Sequence, residues 1–131
     1  MISPKGRYAL RVMIDLAEHK RDGYISLKDI AARQEISKKY LEIIVKELVQ
    51  GKMVTGQGGH GGGYVLCREP EEYAVGEILE WMKGSLATVS CLAEDTPPCT
   101  RAGHCKTLPL WKEHDQLVHD FFYSKHLIDL L

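Results

Sequence analysis

Residues Ser26 to Leu66 read SLKDIAARQEISKKYLEIIVKELVQGKMVTGQGGHGGGYVL. The order of helix starts, helix stop and glycine-rich reversal in this stretch decides the fold. Ser26-Leu-Lys-Asp29 has capping-box form, in which a serine hydroxyl and an acidic side chain three residues on satisfy each other's backbone N–H groups. It opens a short helix with Leu27, Ile30 and Ala31 on the inner side. Gln34 to Ile36 form a tight connection. Ser37 then caps a longer helix whose apolar stripe is Tyr40, Leu41, Ile44, Val45 and Leu48, and Gly51 ends it. Met53-Val54-Thr55 reads as a short strand, Gly56 to Gly63 as a turn, and Tyr64-Val65-Leu66 as the returning strand. Together they predict a β-hairpin with a long, flexible tip.

Upstream, Ser3-Pro4 is a helix start, a capping hydroxyl followed by proline at the first helical position. Ala9, Leu10, Met13, Leu16 and Ala17 follow at helical spacing, and Asp22-Gly23 breaks the run. Downstream, Val75 to Met82 carries Val75, Ile78, Leu79 and Met82 on one side. Gly84 to Lys106 reads as loop, Thr107 to Tyr123 as a long helix, and His126 to Leu131 as a last turn. Three helices and then a hairpin is the order of a winged helix-turn-helix. The expected fold is mainly α: a winged helix-turn-helix over residues 1–83, a cysteine-containing loop over 84–106, and a long C-terminal dimerisation helix with its trailing segment over 107–131. Trp111, Leu117, Phe121 and Phe122 make that last helix too apolar to stand in water. A two-fold homodimer would cover it, and dimers suit palindromic duplex sites. The plainer alternative packs this face on the first helix.

The chain has 131 residues, enough for one domain with an extension. No apolar run approaches the roughly 20 residues that span a bilayer, and Met1-Ile-Ser-Pro-Lys5 lacks the form of a signal peptide. A cytoplasmic setting is expected, where clustered cysteines more often bind metal than form disulfides. The net charge of −1 argues for no partner by itself. Its distribution does: up to Lys52 there are eleven Lys and Arg against seven Asp and Glu, and beyond it six against eleven. A basic N-terminal part suits a domain that meets phosphate on one side.

In a helix-turn-helix the second helix enters the major groove by its N-terminal residues. Here those are Ser37, Lys38, Lys39 and Tyr40, with Glu42 one turn in. The lysines and the tyrosine reach phosphates or guanine edges, Ser37 and the helix N-terminus hold a phosphate, and Glu42 accepts from a cytosine amino group. On an isolated helix the same residues would be an ordinary solvated face; the capped helix before and the hairpin after favour the DNA reading. At the hairpin tip, Gln57 and His60 are the side chains able to touch a duplex. The glycines there resemble a dinucleotide fingerprint, but that motif needs a following helix, and a strand follows here. No nucleophile–base pair stands out, so an enzyme is not expected.

Cys91, Cys99 and Cys105 lie in one stretch, with seven and then five residues between them. Three thiolates in a Pro97-Pro98 and Gly103 loop suit a soft metal or an iron–sulfur cluster. They equally spell a structural zinc site, although zinc ribbons use shorter spacings. Cys67, on the return strand, reads as a small core residue.

Lys5-Gly-Arg-Tyr-Ala9, Tyr40-Leu-Glu42, Gly61-Gly-Gly-Tyr64, Ala74-Val-Gly-Glu77 and three spaced cysteines followed by Leu110-Trp111 together resemble the Rrf-two family of regulators, of the IscR, NsrR and CymR types, nearly end to end. The resemblance implies a dimeric winged-helix transcription factor, usually a repressor, and, with three cysteines, an iron–sulfur cluster whose state alters binding to a double-stranded DNA operator. IscR-type relatives place a histidine ligand where this chain has Leu108. His104, Glu94, Asp95 or a residue of the other subunit is left as fourth ligand, and Tyr8 stands where some NsrR-type relatives are acidic. A wing arginine of some relatives is Gly58 here. Two rival readings are a winged-helix regulator with structural zinc or a thiol switch, and a winged-helix module for protein interaction.

Overall fold

The computed structural model describes residues 2–82, 86–94 and 96–131. Gly84, at the predicted loop boundary, and Asp95, a candidate ligand, lie outside them. The described residues form five helices, α1 (Pro4–Glu18), α2 (Leu27–Gln34), α3 (Lys38–Gln50), α4 (Val75–Trp81) and α5 (Leu108–Ser124), with one antiparallel hairpin of β1 (Val54–Gln57) and β2 (Gly63–Leu66). This is the winged helix-turn-helix expected, with a long helix at its C-terminal side.

The three serine caps act as their positions require. Ser3, Ser26 and Ser37 each accept from the backbone N–H three residues on, at 2.9, 3.2 and 3.2 Å. Each capped N–H would otherwise lack a partner at a helix start. Between α2 and α3 the chain turns at Glu35, whose φ of 53° is left-handed, a conformation that glycine adopts at least cost. The turn carries α3 across α2 and leaves the α3 N-terminus pointing outward.

The core is continuous across α1, α2, α3 and α4. Ala9, Val12, Met13 and Leu16 of α1 meet Ile30 of α2, Leu41, Ile44, Val45 and Leu48 of α3, and Ile78 of α4. The hairpin joins it by Val54, and Tyr73 lies fully buried beneath. The Tyr73 hydroxyl donates to the Met53 carbonyl at 2.5 Å and accepts the Cys67 and Arg68 N–H groups at 3.0 and 2.9 Å. It thus pins the base of both strands.

Both strands of the hairpin run further into the glycine stretch than the sequence reading has them, β2 beginning at Gly63 rather than Tyr64. β1 begins at Val54, not Met53, and continues through Gly56 and Gln57, which pair with Tyr64 and Gly63. The Tyr64 ring explains this. A Cβ on Gly56 would come within 2.9 Å of it, so glycine there admits the ring across the ladder. Gly63, at φ 147°, passes so close to the Ile25 carbonyl that a Cβ would lie 2.2 Å from it. That contact lets Ile25 and Tyr64 exchange backbone hydrogen bonds at 2.9 and 2.8 Å, tying the wing to the strand-like entry of α2.

After α5 the chain returns. Leu127, in a short 3-10 turn (Leu127–Leu130), is fully buried, and its N–H meets the Tyr73 carbonyl at 2.9 Å. Lys125 accepts from Val75 N–H at 2.8 Å. α4 and α5 approach closely because Gly76 has no side chain: a Cβ there would fall 2.4 Å from the Tyr123 ring. Burial, joined by a hydrogen bond to Glu80, pushes the Tyr123 hydroxyl up to about 12.

One charged side chain lies within this apolar frame. Asp15 of α1 is 1% exposed. Arg33 grips it with two N–H groups, Nε at 2.9 Å and Nη2 at 2.8 Å, and Gln34 Nε2 adds a third at 3.0 Å. Burial pushes the Asp15 carboxyl up, but the bonds from Arg33 and Gln34, the Arg33 charge and nearby His19 together hold it below its ordinary 3.8. A carboxyl lowered in the folded state stabilises the fold above its unfolded value and loses that contribution as pH falls through the folded value. Stability should therefore be level in this respect above about pH 4 and fall below it. Asp15→Ala strands the half-exposed Arg33 and should cost about 2 kcal/mol in urea unfolding at pH 7, less than for a fully buried pair. The variant should also lose the Asp15 part of the acid dependence.

Candidate nucleic-acid interface and cysteine loop

The outer face of α3 is set by what its inner face buries. Leu41, Ile44, Val45 and Leu48 turn inward, which leaves Lys38, Lys39, Glu42, Ile43, Lys46, Val49 and Gln50 exposed. Ser37 is exposed too, its hydroxyl already engaged with the Tyr40 N–H. Tyr40 is half-buried and packs edge-on against Tyr8, ring centroids 5.6 Å apart at 84°. Its body is therefore part of the α1–α3 contact. Arg11 lies over the other ring of that pair, 5.2 Å from the Tyr8 centroid, and donates to the Gln34 carbonyl. Lys5 closes the same seam with Glu47 at 2.9 Å. The outward face runs on past Glu42, the last α3 residue that the sequence assigns to the groove. The helical advance of about 100° per residue places Ile43, Lys46 and Gln50 on the same outward face.

The wing tip is open. Gln57, Gly58, Gly59, His60 and Gly61 are all exposed, and added Cβ atoms on Gly58, Gly59 and Gly61 would meet nothing within 4 Å. Gly59 and Gly61 take φ of 84° and 73°, and the Gly62 N–H closes the turn on the Gly59 carbonyl at 3.0 Å. Gly62 itself is confined, since a Cβ would sit 2.3 Å from the Gln57 carbonyl. The tip is thus a thin backbone loop on a firmly tied stem, with His60 at its apex.

Between α4 and α5 the described residues form turns. Cys91 sits half-buried in a 3-10 turn (Ser90–Leu92), steadied by Thr96, whose hydroxyl lies 2.7 Å from the carbonyls of Ser90 and Ala93. Cys99 is exposed, and its carbonyl accepts from Ala102 N–H at 3.0 Å. Cys105 is half-buried just before α5, its Sγ 3.4 Å from the Thr107 hydroxyl. That hydrogen bond, with others from the Thr107 and Leu108 N–H groups and the Arg101 charge, holds the Cys105 thiol below its ordinary range. His104, beside it, is exposed. All three thiols are free. Among the described residues no group of three or more His, Cys, Asp and Glu stands close enough to hold a metal ion. The donors suit a thiolate-bound centre in kind; the described loop does not bring them together as a set.

Cys67 departs from expectation. It is exposed, not a core residue. It follows Leu66, the last residue paired in the ladder, and Tyr73 fills the space below the strand instead.

α5 has no fully buried residue. Leu110, Leu117 and Phe121 are 57%, 66% and 55% exposed and fall along one line of the helix, at spacings of seven and four. Beside that line, Val118 and Phe122 join Ile2, Leu86 and the aliphatic parts of Thr88 and His114 around an open apolar cavity of about 390 Å³. Thr88 fixes this region to α5: its N–H donates to Asp115 at 2.6 Å and its hydroxyl meets His114 Nδ1 at 2.5 Å. No helix among the described residues is long and apolar enough to cross a membrane.

Comparison with known proteins agrees with this architecture along the whole chain. The Rrf2 family model, described as an iron-dependent transcriptional regulator, matches residues 2–131. The HTH-type transcriptional regulator IscR of Pectobacterium atrosepticum is 33% identical over 130 residues, covering 99% of this chain and 78% of that protein. The structure of CymR, the global cysteine regulator of B. subtilis, superposes with a TM-score of 0.79 at 36% identity, covering 99% of this chain and 95% of that one. T. potens IscR superposes with a TM-score of 0.76 at 32% identity, covering 99% and 85%. The chain belongs to the Rrf2 family and is a transcriptional regulator of the IscR and CymR kind.

Proposed function

We propose that the protein binds a double-stranded DNA operator as a homodimer and represses transcription, with α3 in the major groove and the wing on the adjoining backbone. The observation that carries this is the outward face of α3, where three lysines stand exposed beside an open helix N-terminus while the opposite face is wholly consumed by the core. Lys38 and Lys39 meet phosphates or guanine edges, Ser37 and the α3 N-terminus hold a phosphate, and Glu42 discriminates among bases. Tyr40 contributes by its rim, since its ring is held by Tyr8. Gln57 and His60 approach the minor groove or its phosphates. The exposed line of Leu110, Leu117 and Phe121 pairs with the same line of a second copy, which sets the two reading heads at a fixed spacing.

The sensing element in this reading is the cysteine loop. Cys91, Cys99 and Cys105 hold an iron–sulfur cluster, with His104 as a candidate fourth ligand; zinc is the alternative cargo. When bound, such a cluster supplies a centre that oxygen, nitric oxide or iron limitation can remove. What the chain contributes is a loop of turns without regular structure to resist rearrangement, a Cys105 thiol already inclined to ionise, and a direct covalent lead into α5. A second reading, a thiol switch, has one specific support: the thiols are free and unassembled among the described residues, and the Thr107 hydroxyl beside Cys105 holds that thiol below its ordinary range.

Three outcomes are expected. Duplex binding should weaken steeply with salt, and Lys39→Ala should lower the slope of log K against log[salt] by about 1 per subunit; an unchanged slope removes Lys39 from phosphate contact. Protein purified without oxygen should carry iron and sulfide and absorb visible light, and Cys99→Ala should abolish both. Colourless protein with stoichiometric zinc, or metal-free protein whose operator binding follows thiol oxidation, selects the corresponding alternative. Leu117→Glu with Phe121→Glu should yield monomers in analytical ultracentrifugation while leaving the melting of the winged-helix core nearly unchanged, because both side chains lie in water in the single chain.

A further inference from the structure

Two exposed side chains on α3, Ile43 and Val49, are of the wrong chemistry for a solvated face, and of the two Ile43 stands on the outward face while Val49 lies about 90° round the helix from its centre. Ile43 is 46% exposed, in the middle of a surface otherwise made of Lys38, Lys39, Glu42, Lys46 and Gln50. Its direction is informative. At about 100° per residue, Ile43 lies about 30° from the direction opposite the buried stripe of Leu41, Ile44, Val45 and Leu48, whereas Glu42 lies about 70° away on the other side. Lys39, one turn before, lies about 10° from that direction, and Lys46, one turn after, about 30° from it on the Glu42 side. The neighbour on the inner flank, Glu47, is already tied to Lys5 at 2.9 Å. Ile43 is therefore the apolar side chain of α3 that faces most nearly outward, between the two lysines, and a cationic rim around an apolar centre matches one feature of duplex DNA.

The geometry points to Ile43 as a specificity-determining residue that reads a C5 methyl group in the major groove, supplied by thymine. The groove floor presents polar donors and acceptors at every base pair, and one apolar element, the methyl carried at C5 of thymine. A β-branched side chain is stiff at χ1, so its methyl groups are presented at little entropic cost, and contact removes two apolar surfaces from water together. The lysines on either side deliver the phosphates that fix register, which carries no sequence information, and Ile43 adds a base preference to it. This assignment rests on the reading of α3 as the groove-facing helix.

The test uses the full-length protein and a selection from a random duplex pool, followed by replacement of each thymine of the enriched sequence by deoxyuridine, which removes only the methyl group. At one thymine per half-site the replacement should weaken wild-type binding about four-fold, the worth of burying one methyl group. The same replacement should have no effect on Ile43→Ala, because the two changes remove one contact. With that base pair changed to C·G, 5-methylcytosine in place of the cytosine should tighten wild-type binding by a similar factor if the methyl is read whatever base carries it; no change assigns the contact to thymine in particular. If deoxyuridine acts equally on both proteins, or on neither, while an enriched sequence is still bound, the role of Ile43 is overturned and the groove-facing helix stands. A pool from which nothing is enriched overturns both.

Discussion

The arrangement of the reading head depends on one buried carboxylate. Asp15 occupies a site that should be apolar, and it remains ionised there because Arg33 and Gln34, the last turn of α2, bring three N–H groups to its two oxygens. The grip fixes where α2 ends relative to α1, and Glu35 and Ile36 then leave no freedom in where α3 begins. A hydrophobic contact in the same place would tolerate sliding. A forked guanidinium against a carboxylate does not, since both hydrogen bonds are lost together when the angle changes. The direction of α3, and with it every outward residue from Lys38 to Gln50, is inherited from this pair.

Much of this was legible along the chain. Ser3, Ser26 and Ser37 announced their helices, because a cap is a local event that three or four residues decide. The stripe of α3 was legible for the same reason, since periodicity is recorded in the residues themselves; that of α1 was legible at Ala9, Met13 and Leu16, while Leu10 and Ala17 are only half-buried and the fully buried Val12 lies outside the stripe read from the sequence. What escaped was decided across distance. Gly56 and Gln57 look like turn residues by composition, and they are strand because the Tyr64 ring lies across Gly56. Cys67 looks like core, and Tyr73 occupies that space. Leu127 gave no sign of being fully buried, since its burial depends on where α5 delivers the chain. The outward residues beyond Glu42, namely Ile43, Lys46 and Gln50, follow from the same periodicity as the apolar stripe, one helical face implying the other.

The candidate sensor divides the same way. Its chemistry was legible, three thiols in one short stretch, because residue type carries chemistry. Their meeting was not, because spacings of seven and five admit many loops. The described turns hold Cys91 and Cys105 through Thr96 and Thr107, two hydroxyls with local partners, and leave Cys99 in water.

Tyr73 and Leu127 together give the molecule a mechanical asymmetry. The far end of α5 is riveted to the same tyrosine that secures the foot of the wing, whereas its middle is fastened to the described loop only by Thr88, at His114 and Asp115. A rod anchored so unevenly pivots at the anchored end. A displacement beside Cys105 therefore sweeps Leu110 further than Leu117, each in proportion to its distance from the pivot, and the pivot itself adjoins the root of the hairpin.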